Sequence, residues 1–205
     1  LYSSAASDVY KRQAIRCEVE EKGSTREKVI EKMRKNLKVM KDAAKAGTEK
    51  EVYSLSGLIG GDGHRLNNYA KNKKTLTGRA TNIAMAMALA SSEVNASMGK
   101  IVACPTAGSC GILPAVILAA GEVLELSEDE MINGLLAASA VGMIIGMNAT
   151  LSGAEGGCQA ECGSASAMGA AAVVELMGGT PKMSLDAGSI ILQNVLGLVC
   201  DPVAG

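Results

Sequence analysis

The sequence predicts an all-α protein, and three observations carry that reading. No stretch alternates apolar and polar residues with period two for long enough to make a convincing strand. Two Ser-x-x-Glu boxes, Ser24 to Glu27 and Ser127 to Glu130, stand ahead of runs with helical spacing, as a capping hydroxyl and its reciprocal carboxylate do. The chain has no Trp, no Phe and only four Tyr in 205 residues, so its core must be Ala, Leu, Ile, Val and Met. Small side chains of this kind suit closely packed helices. That length is enough for one domain with a sizeable core, or a large piece of one.

At the N-terminus, residues 1–13, LYSSAASDVYKRQ, share no pattern with the rest of the chain and read as a non-native tail. The chain breaks off in a loop at DPVAG, so 14–205 reads as a fragment. Behind the Ser24 box, Val29, Met33, Leu37 and Met40 recur at helical spacing, charges fill the other face, and Gly47 is expected to stop the helix. Leu55–Leu66, LSGLIGGDGHRL, reads as a glycine-rich loop carrying the lone histidine, His64. Its Gly60-Gly61-Asp62-Gly63 could cradle an anion through backbone N–H groups, or be a plain turn. Thr81–Ser92 is Ala/Met-rich, nearly uncharged, and expected to be a helix buried on most sides.

Gly111 to Pro114 opens a helix expected to reach about Leu126, with proline near its first turn. The Ser127 helix should run to roughly Met147. Its uncharged part includes Gly142 and Gly146 in GxxxG spacing, so a membrane span rivals a buried central helix. Small residues, Ser139 and Asn148, and acidic rather than basic flanks favour the buried helix. Gly163–Met177 and Ser184–Val199 complete the set, separated by Gly178-Gly179-Thr180-Pro181.

Net charge is −1, which argues against general nucleic-acid binding through phosphate neutralisation. The average conceals an asymmetry. From Ile101 onward one basic residue, Lys182, faces ten acidic ones, whereas the first hundred residues carry nineteen basic and eleven acidic. A basic face could dock on an acidic partner, or be surface segregation without function. Six cysteines, at 17, 104, 110, 158, 162 and 200, contain no C-x-x-C, and one histidine rules out the usual Cys/His zinc patterns. No signal peptide is visible, so the cytosol, where thiols stay reduced, is the expected compartment.

Two stretches carry candidate chemistry. Leu151–Cys162, LSGAEGGCQAEC, reads as a loop between apolar helices, and its Gly156-Gly157 pair would let the backbone approach a ligand closely beside the Cys158 thiol. The plainer alternative makes the glycines a helix end and Cys158 a small packed side chain. Glu93–Pro114 interleaves Asn95, Ser97, Lys100, Thr106 and Ser109 with glycines and two prolines, which suits a small carboxylate or ammonium ligand, or an ordinary turn-rich connection.

These residues carry a resemblance. Asn95-Ala-Ser-Met-Gly-Lys with Pro105-Thr-Ala-Gly-Ser, then LSGAEGGCQAECGSAS, then Gly197-Leu-Val-Cys-Asp-Pro-Val-Ala-Gly, resemble in order three motifs of the α chain of the bacterial two-subunit iron–sulfur L-serine dehydratases. The similarity runs from about Ile15 to Gly205. It implies an all-helical catalytic domain whose Gly-rich segments form a [4Fe–4S] site, with two cysteine ligands matching Cys158 and Cys200. The family's third ligand lies in a segment after DPVAG, past the last residue here. Cys104, Cys110 and Cys162 are assigned no ligand role.

The resemblance further implies conversion of L-serine to pyruvate and ammonia, with a separate β chain as partner and neither nucleic acid nor membrane involved. A cluster on three cysteines leaves one iron open to act as a Lewis acid on the substrate hydroxyl. By position, Asn95, Ser97, Thr106 and Ser109 are expected to hold the substrate's carboxylate and amino group. His64 is the candidate base within the chain, and the β chain is the other source. A related lyase acting on cysteine or threonine, and a non-enzymatic helical binding or membrane module, are the competing readings.

Overall fold

The Ala/Met-rich run becomes the helix on which half of the molecule is assembled. The structure, a computed structural model, describes residues 15, 16, 18–20 and 23–197; Cys17, Cys200, the tail at 1–13 and the 201–205 end lie outside the described residues. Seven helices are placed: α1 (Arg26–Glu49), α2 (Asp62–Asn72), α3 (Gly78–Ala96), α4 (Ile112–Val123), α5 (Glu128–Asn148), α6 (Gly153–Leu176) and α7 (Pro181–Val195). Among the described residues, the β pairing is one isolated antiparallel bridge, Tyr53 to Gly60. The all-α expectation is correct.

Helix α3 packs on α1, α2 and α4, while α6 packs on α5, α4 and α7, so α4 joins the two groups. The contact surfaces follow from the small residues. A Cβ placed on Gly47 of α1 would lie 2.7 Å from the Ala90 Cβ of α3, and one on Gly63 of α2 would lie 2.7 Å from the Ala90 nitrogen. Gly47 therefore does not stop α1, which runs on to Glu49; the glycine is kept inside the helix, despite its cost there, because two backbones meet at it. Leu37 and Met40 of α1, Ile117 of α4, Ile132 and Leu135 of α5, and Met168 of α6 share one apolar core.

The helix ends show which caps are used. The Ser127–Glu130 box is complete, with both reciprocal bonds formed. At the other box the cap is Thr25, not Ser24: Thr25 is extended and its hydroxyl accepts from the Lys28 N–H at 3.3 Å. Two adjacent hydroxyl residues compete for one position, and the later one wins. Helix α7 begins at Pro181 rather than Ser184, since Thr180 caps it by accepting from the Met183 N–H.

One further expectation needs correction. Helix α3 is not buried on most sides, because Met85 and Leu89, four residues apart, are 47% and 39% exposed and mark an open stripe. The absence of charge there reflects close packing at Ala86 and Ala90 rather than complete burial. Helix α5 is long and apolar enough to cross a membrane, and 56% of its apolar window is buried in the protein. Its GxxxG glycines receive Met168 and Leu151 of the neighbouring segment, so the small-residue spacing serves packing within the chain.

The charge asymmetry is partly spent internally: Arg34 and Lys41 of basic α1 pair with Asp129 and Glu128 at the acidic start of α5, and Arg79 pairs with Glu122. Acidic residues there also favour the α5 N-terminus. Gly47→Val tests the α1–α3 contact. Overpacking against backbone is expected to cost about 2–3 kcal/mol, lowering the thermal midpoint by about 5–10 °C in a circular-dichroism melt. An unchanged midpoint would show that the two helices can separate freely.

Candidate active site at Cys158 and the 105–109 loop

The Leu151–Cys162 stretch is not a loop. Ser152 is extended, helix α6 starts at Gly153, and the helix breaks once at Gly157, whose φ of 71° and ψ of 178° suit only glycine. Cys158 follows the break directly and is exposed. Residues three and four apart share a helix face, so Glu161 and the half-buried Cys162 lie on the Cys158 side. Each reading of the glycine pair is half right: the backbone bends there, but within a helix, and the thiol beside it faces outward. Ahead of the break, the Thr150 hydroxyl donates to Glu155 at 2.6 Å and accepts from the Ser152 N–H at 3.1 Å.

Glu161 ties this motif to the other one. A Cβ on Gly108 would lie 3.0 and 3.1 Å from the two Glu161 carboxylate oxygens, and a Cβ on Gly153 would lie 2.5 Å from Oε2. The carboxylate thus fills the space left by two glycines, one in the 105–109 loop and one at the start of α6. No hydrogen bond or ion pair reaches it from the described residues.

The 95–109 residues form a second connected group. The Asn95 amide donates to the Ala107 carbonyl at 3.1 Å, fastening the loop to the end of α3 and leaving the Asn95 Oδ1 for another donor. The Ser97 hydroxyl donates to the Val94 carbonyl at 2.9 Å, closing the helix end. The Thr106 and Ser109 hydroxyls are 3.1 Å apart. Ser109 is 1% exposed and also donates to the Thr106 carbonyl, whereas Thr106 is half-buried. Ser109 therefore supports Thr106 from behind. Lys100 is exposed at the loop's entrance.

The glycine-rich stretch at 60–63 does cradle an anion, and the anion is the protein's own. Glu93 of α3, 4% exposed, accepts from the Asp62 N–H at 2.6 Å and the Gly63 N–H at 3.2 Å. This carboxylate caps α2, whose first amides have no partner within the helix. Left-handed Gly60 and Gly61, with φ of 147° and 78°, turn the chain into it. Its other oxygen, Oε2, is buried without a partner among the described residues.

His64 is consequently in helix α2, not in a loop. Its Nδ1 faces the Thr48 carbonyl at 2.9 Å, which can only accept, so the proton sits on Nδ1 and Nε2 accepts from the Asn68 amide at 2.8 Å. His64 lines a cavity of about 950 Å³ that also takes in Lys71, Arg79 and Glu122. None of Asn95, Ser97, Thr106, Ser109 or Cys158 is among its walls. The cavity meets α4 at Gly121 and Glu122, while Ser109 stands before the other end of that 12-residue helix, about 18 Å long at the usual rise.

The thiols divide by environment. Burial, and then the neighbouring Cys110, pushes the Cys104 thiol up to about 12, and burial raises Cys110. Cys104 donates weakly to the Val102 carbonyl and Cys110 to the Ser91 carbonyl. A metal ligand must be a thiolate, so both are poorly suited to hold iron. Exposed Cys158 fits that role. Among the described residues no three His, Cys, Asp or Glu side chains are gathered to hold a metal ion, and Cys200, the second position implied by resemblance, lies outside them.

The fold and site define an all-helical protein with an exposed thiol at a helix break, set beside a hydroxyl-bearing loop. Residues 6–205 match the profile of the serine dehydratase alpha chain, and the chain belongs to that family. It is 49% identical to the probable L-serine dehydratase, alpha chain, of Bacillus subtilis (strain 168), over 92% of this chain and 62% of that protein. It is 47% identical to the L-serine dehydratase, alpha chain, of Peptoniphilus asaccharolyticus, over 92% of this chain and 64% of that one. Against the L-serine dehydratase TdcG of Escherichia coli (strain K12) it is 47% identical over 58% of this chain and 26% of that protein. The chain spans less than two thirds of the length of each of these relatives.

Sequence reasoning missed Glu93 and Glu161. Glu93 is the one acidic residue of its helix, which is a signal, whereas Glu161 shares its helix with Glu155 and Glu175 and carries none. The thiol division is tested by iodoacetamide at pH 8 with peptide mass spectrometry. Cys158 is expected to be alkylated well before Cys104, whose thiolate fraction at that pH is about one in ten thousand. The Cys104 rate should climb only as pH approaches 12, and comparable labelling of Cys104 and Cys158 at pH 8 would contradict the assignment.

Proposed function

We propose that this chain is the helical catalytic part of an L-serine dehydratase, which eliminates water from L-serine and, on hydrolysis of the resulting imine, yields pyruvate and ammonia. The observation that carries the reading is the exposed Cys158 thiol one helical turn from Glu161, whose carboxylate touches the loop bearing Thr106. Two separate family motifs thereby meet at one place. The names of the relatives supply the substrate, and their alpha-chain designation supplies a separate β chain as partner.

A [4Fe–4S] cluster held by Cys158, Cys200 and a third cysteine would, when bound, supply Lewis acidity toward the substrate hydroxyl through an iron lacking a thiolate. The chain's own residues bind and orient. With the Ser109 proton on the Thr106 carbonyl, the Thr106 proton goes to Ser109, so the Asn95 Oδ1 and the Thr106 hydroxyl oxygen both offer acceptors to the amino acid's polar groups, and Ser97 adds a hydroxyl oxygen at the same helix end. Ser109 fixes the Thr106 rotamer from its buried position. Elimination removes the α-proton and the hydroxyl as water; the resulting aminoacrylate rearranges to an imine that hydrolyses to pyruvate and ammonia. We do not route the α-proton through His64, because both of its ring nitrogens are engaged; the β chain is the proposed source of the base. The cytosol is the proposed compartment, since a ligand thiol must stay reduced.

Two variants of the intact protein test this. Cys158→Ser is expected to lose the brown visible absorbance of the reconstituted cluster together with at least about 100-fold of serine deamination; full turnover without colour would refute the reading. His64→Gln should leave kcat within about threefold, whereas loss of a general base removes about 100-fold or more. A drop of that size with the thermal midpoint unchanged would return the base to His64.

A further inference from the structure

The carboxylate of Glu161, at the junction of the two motifs, has no charge to balance it among the described residues. We propose that Glu161 recognises the α-ammonium of the amino-acid substrate and sets the site's preference for amino acids over their deaminated analogues. This inference rests on the function proposed above and adds a specificity-determining residue to it.

Three observations carry it. Glu161 is only half-buried, and no hydrogen bond or salt bridge reaches it from the described residues, so a ligand can approach it. Beyond Lys100 the only basic residue is Lys182, which is paired with Asp186 at 2.7 Å, and Lys100, exposed at the loop's entrance, makes no ion pair with Glu161. Nearby Glu155, by contrast, is engaged by the Thr150 hydroxyl. The carboxylate also lies close against Gly108 and Gly153, so that a Cβ added at Gly153 would make it shift.

Asn95, Ser97 and Thr106 are neutral, and none offers the negative charge that pairs with an ammonium. A carboxylate one turn from Cys158 supplies it. A site built to pair a charged group rejects the analogue that lacks it, because its own charge is then left unpaired.

The test uses the intact protein and two ligands that cannot lose water, L-alanine and propanoate, which differ only by the ammonium. Isothermal titration calorimetry on the wild type is expected to show L-alanine binding at least about tenfold more tightly than propanoate. In Glu161→Gln that ratio should collapse toward one, with the KM for L-serine rising at least about tenfold and kcat changing little. Glu161→Asp should recover part of the preference. Gly153→Ala, which displaces the carboxylate without removing it, should lose the preference as well and stands in should the Gln variant fail to fold. A wild type that binds both ligands equally, or a folded Gln variant with its preference intact, overturns the proposal. Either result can occur while the wild type deaminates serine normally, and absence of serine turnover with the L-alanine preference retained would instead count against the lyase reading alone.

Discussion

The last two turns of α3 are the constraint from which the rest of the structure hangs. Within a few residues, Ala90 receives Gly47 of α1 and Gly63 of α2, and Glu93 caps α2. The Ser91 carbonyl meets the Cys110 thiol, Gly111 at the start of α4 presses on the Ala88 carbonyl, and Asn95 holds the Ala107 carbonyl. Four segments converge on one helix end, and close convergence is possible because the residues at its tightest contacts, Ala88 and Ala90 against Gly47, Gly63 and Gly111, are small. A chain without Trp or Phe cannot fill a core by bulk, so it brings backbones together instead.

That architecture explains how the site is built. The 105–109 loop is anchored at its middle, Ala107, by Asn95 and closed across by Thr106 and Ser109, and its glycine, Gly108, lies against Glu161 of α6. From the other side α6 breaks at Gly157, turning the Cys158 thiol outward while its next turn delivers Glu161 to Gly108. The buried thiols Cys104 and Cys110 belong to the scaffold, where desolvation keeps them protonated. Cys158, the proposed ligand, is by contrast exposed, and exposure governs how readily a thiol becomes a thiolate.

Much of this is legible in the sequence, though unevenly. The capping box at Ser127 and the spacing of Val29, Leu37 and Met40 point to helices correctly, because local hydrogen bonding and periodicity decide them. The misreadings share a cause: glycine reads as punctuation. Gly47 lies within its helix, as only its contact with the distant Ala90 shows, whereas Gly157 does break the backbone but has helix on both sides. His64 reads as a loop residue because the cap of its helix, Glu93, is about thirty residues away in sequence. The group Asn95, Thr106 and Ser109 stands out by residue type and proves to be one connected unit. Glu161, which joins that unit to Cys158, is invisible in the sequence, since its partners are two glycines with no side chains to notice.

The central claim is that the Cys158 motif and the 105–109 loop form one site in which an open iron meets serine. Mössbauer spectra of the intact, iron-reconstituted protein, recorded with and without L-serine, address it most directly. The predicted result is a cluster in which one iron alone changes its signal when serine is added. A cluster whose irons are all indifferent to serine, or no cluster at all under anaerobic reconstitution, would contradict it.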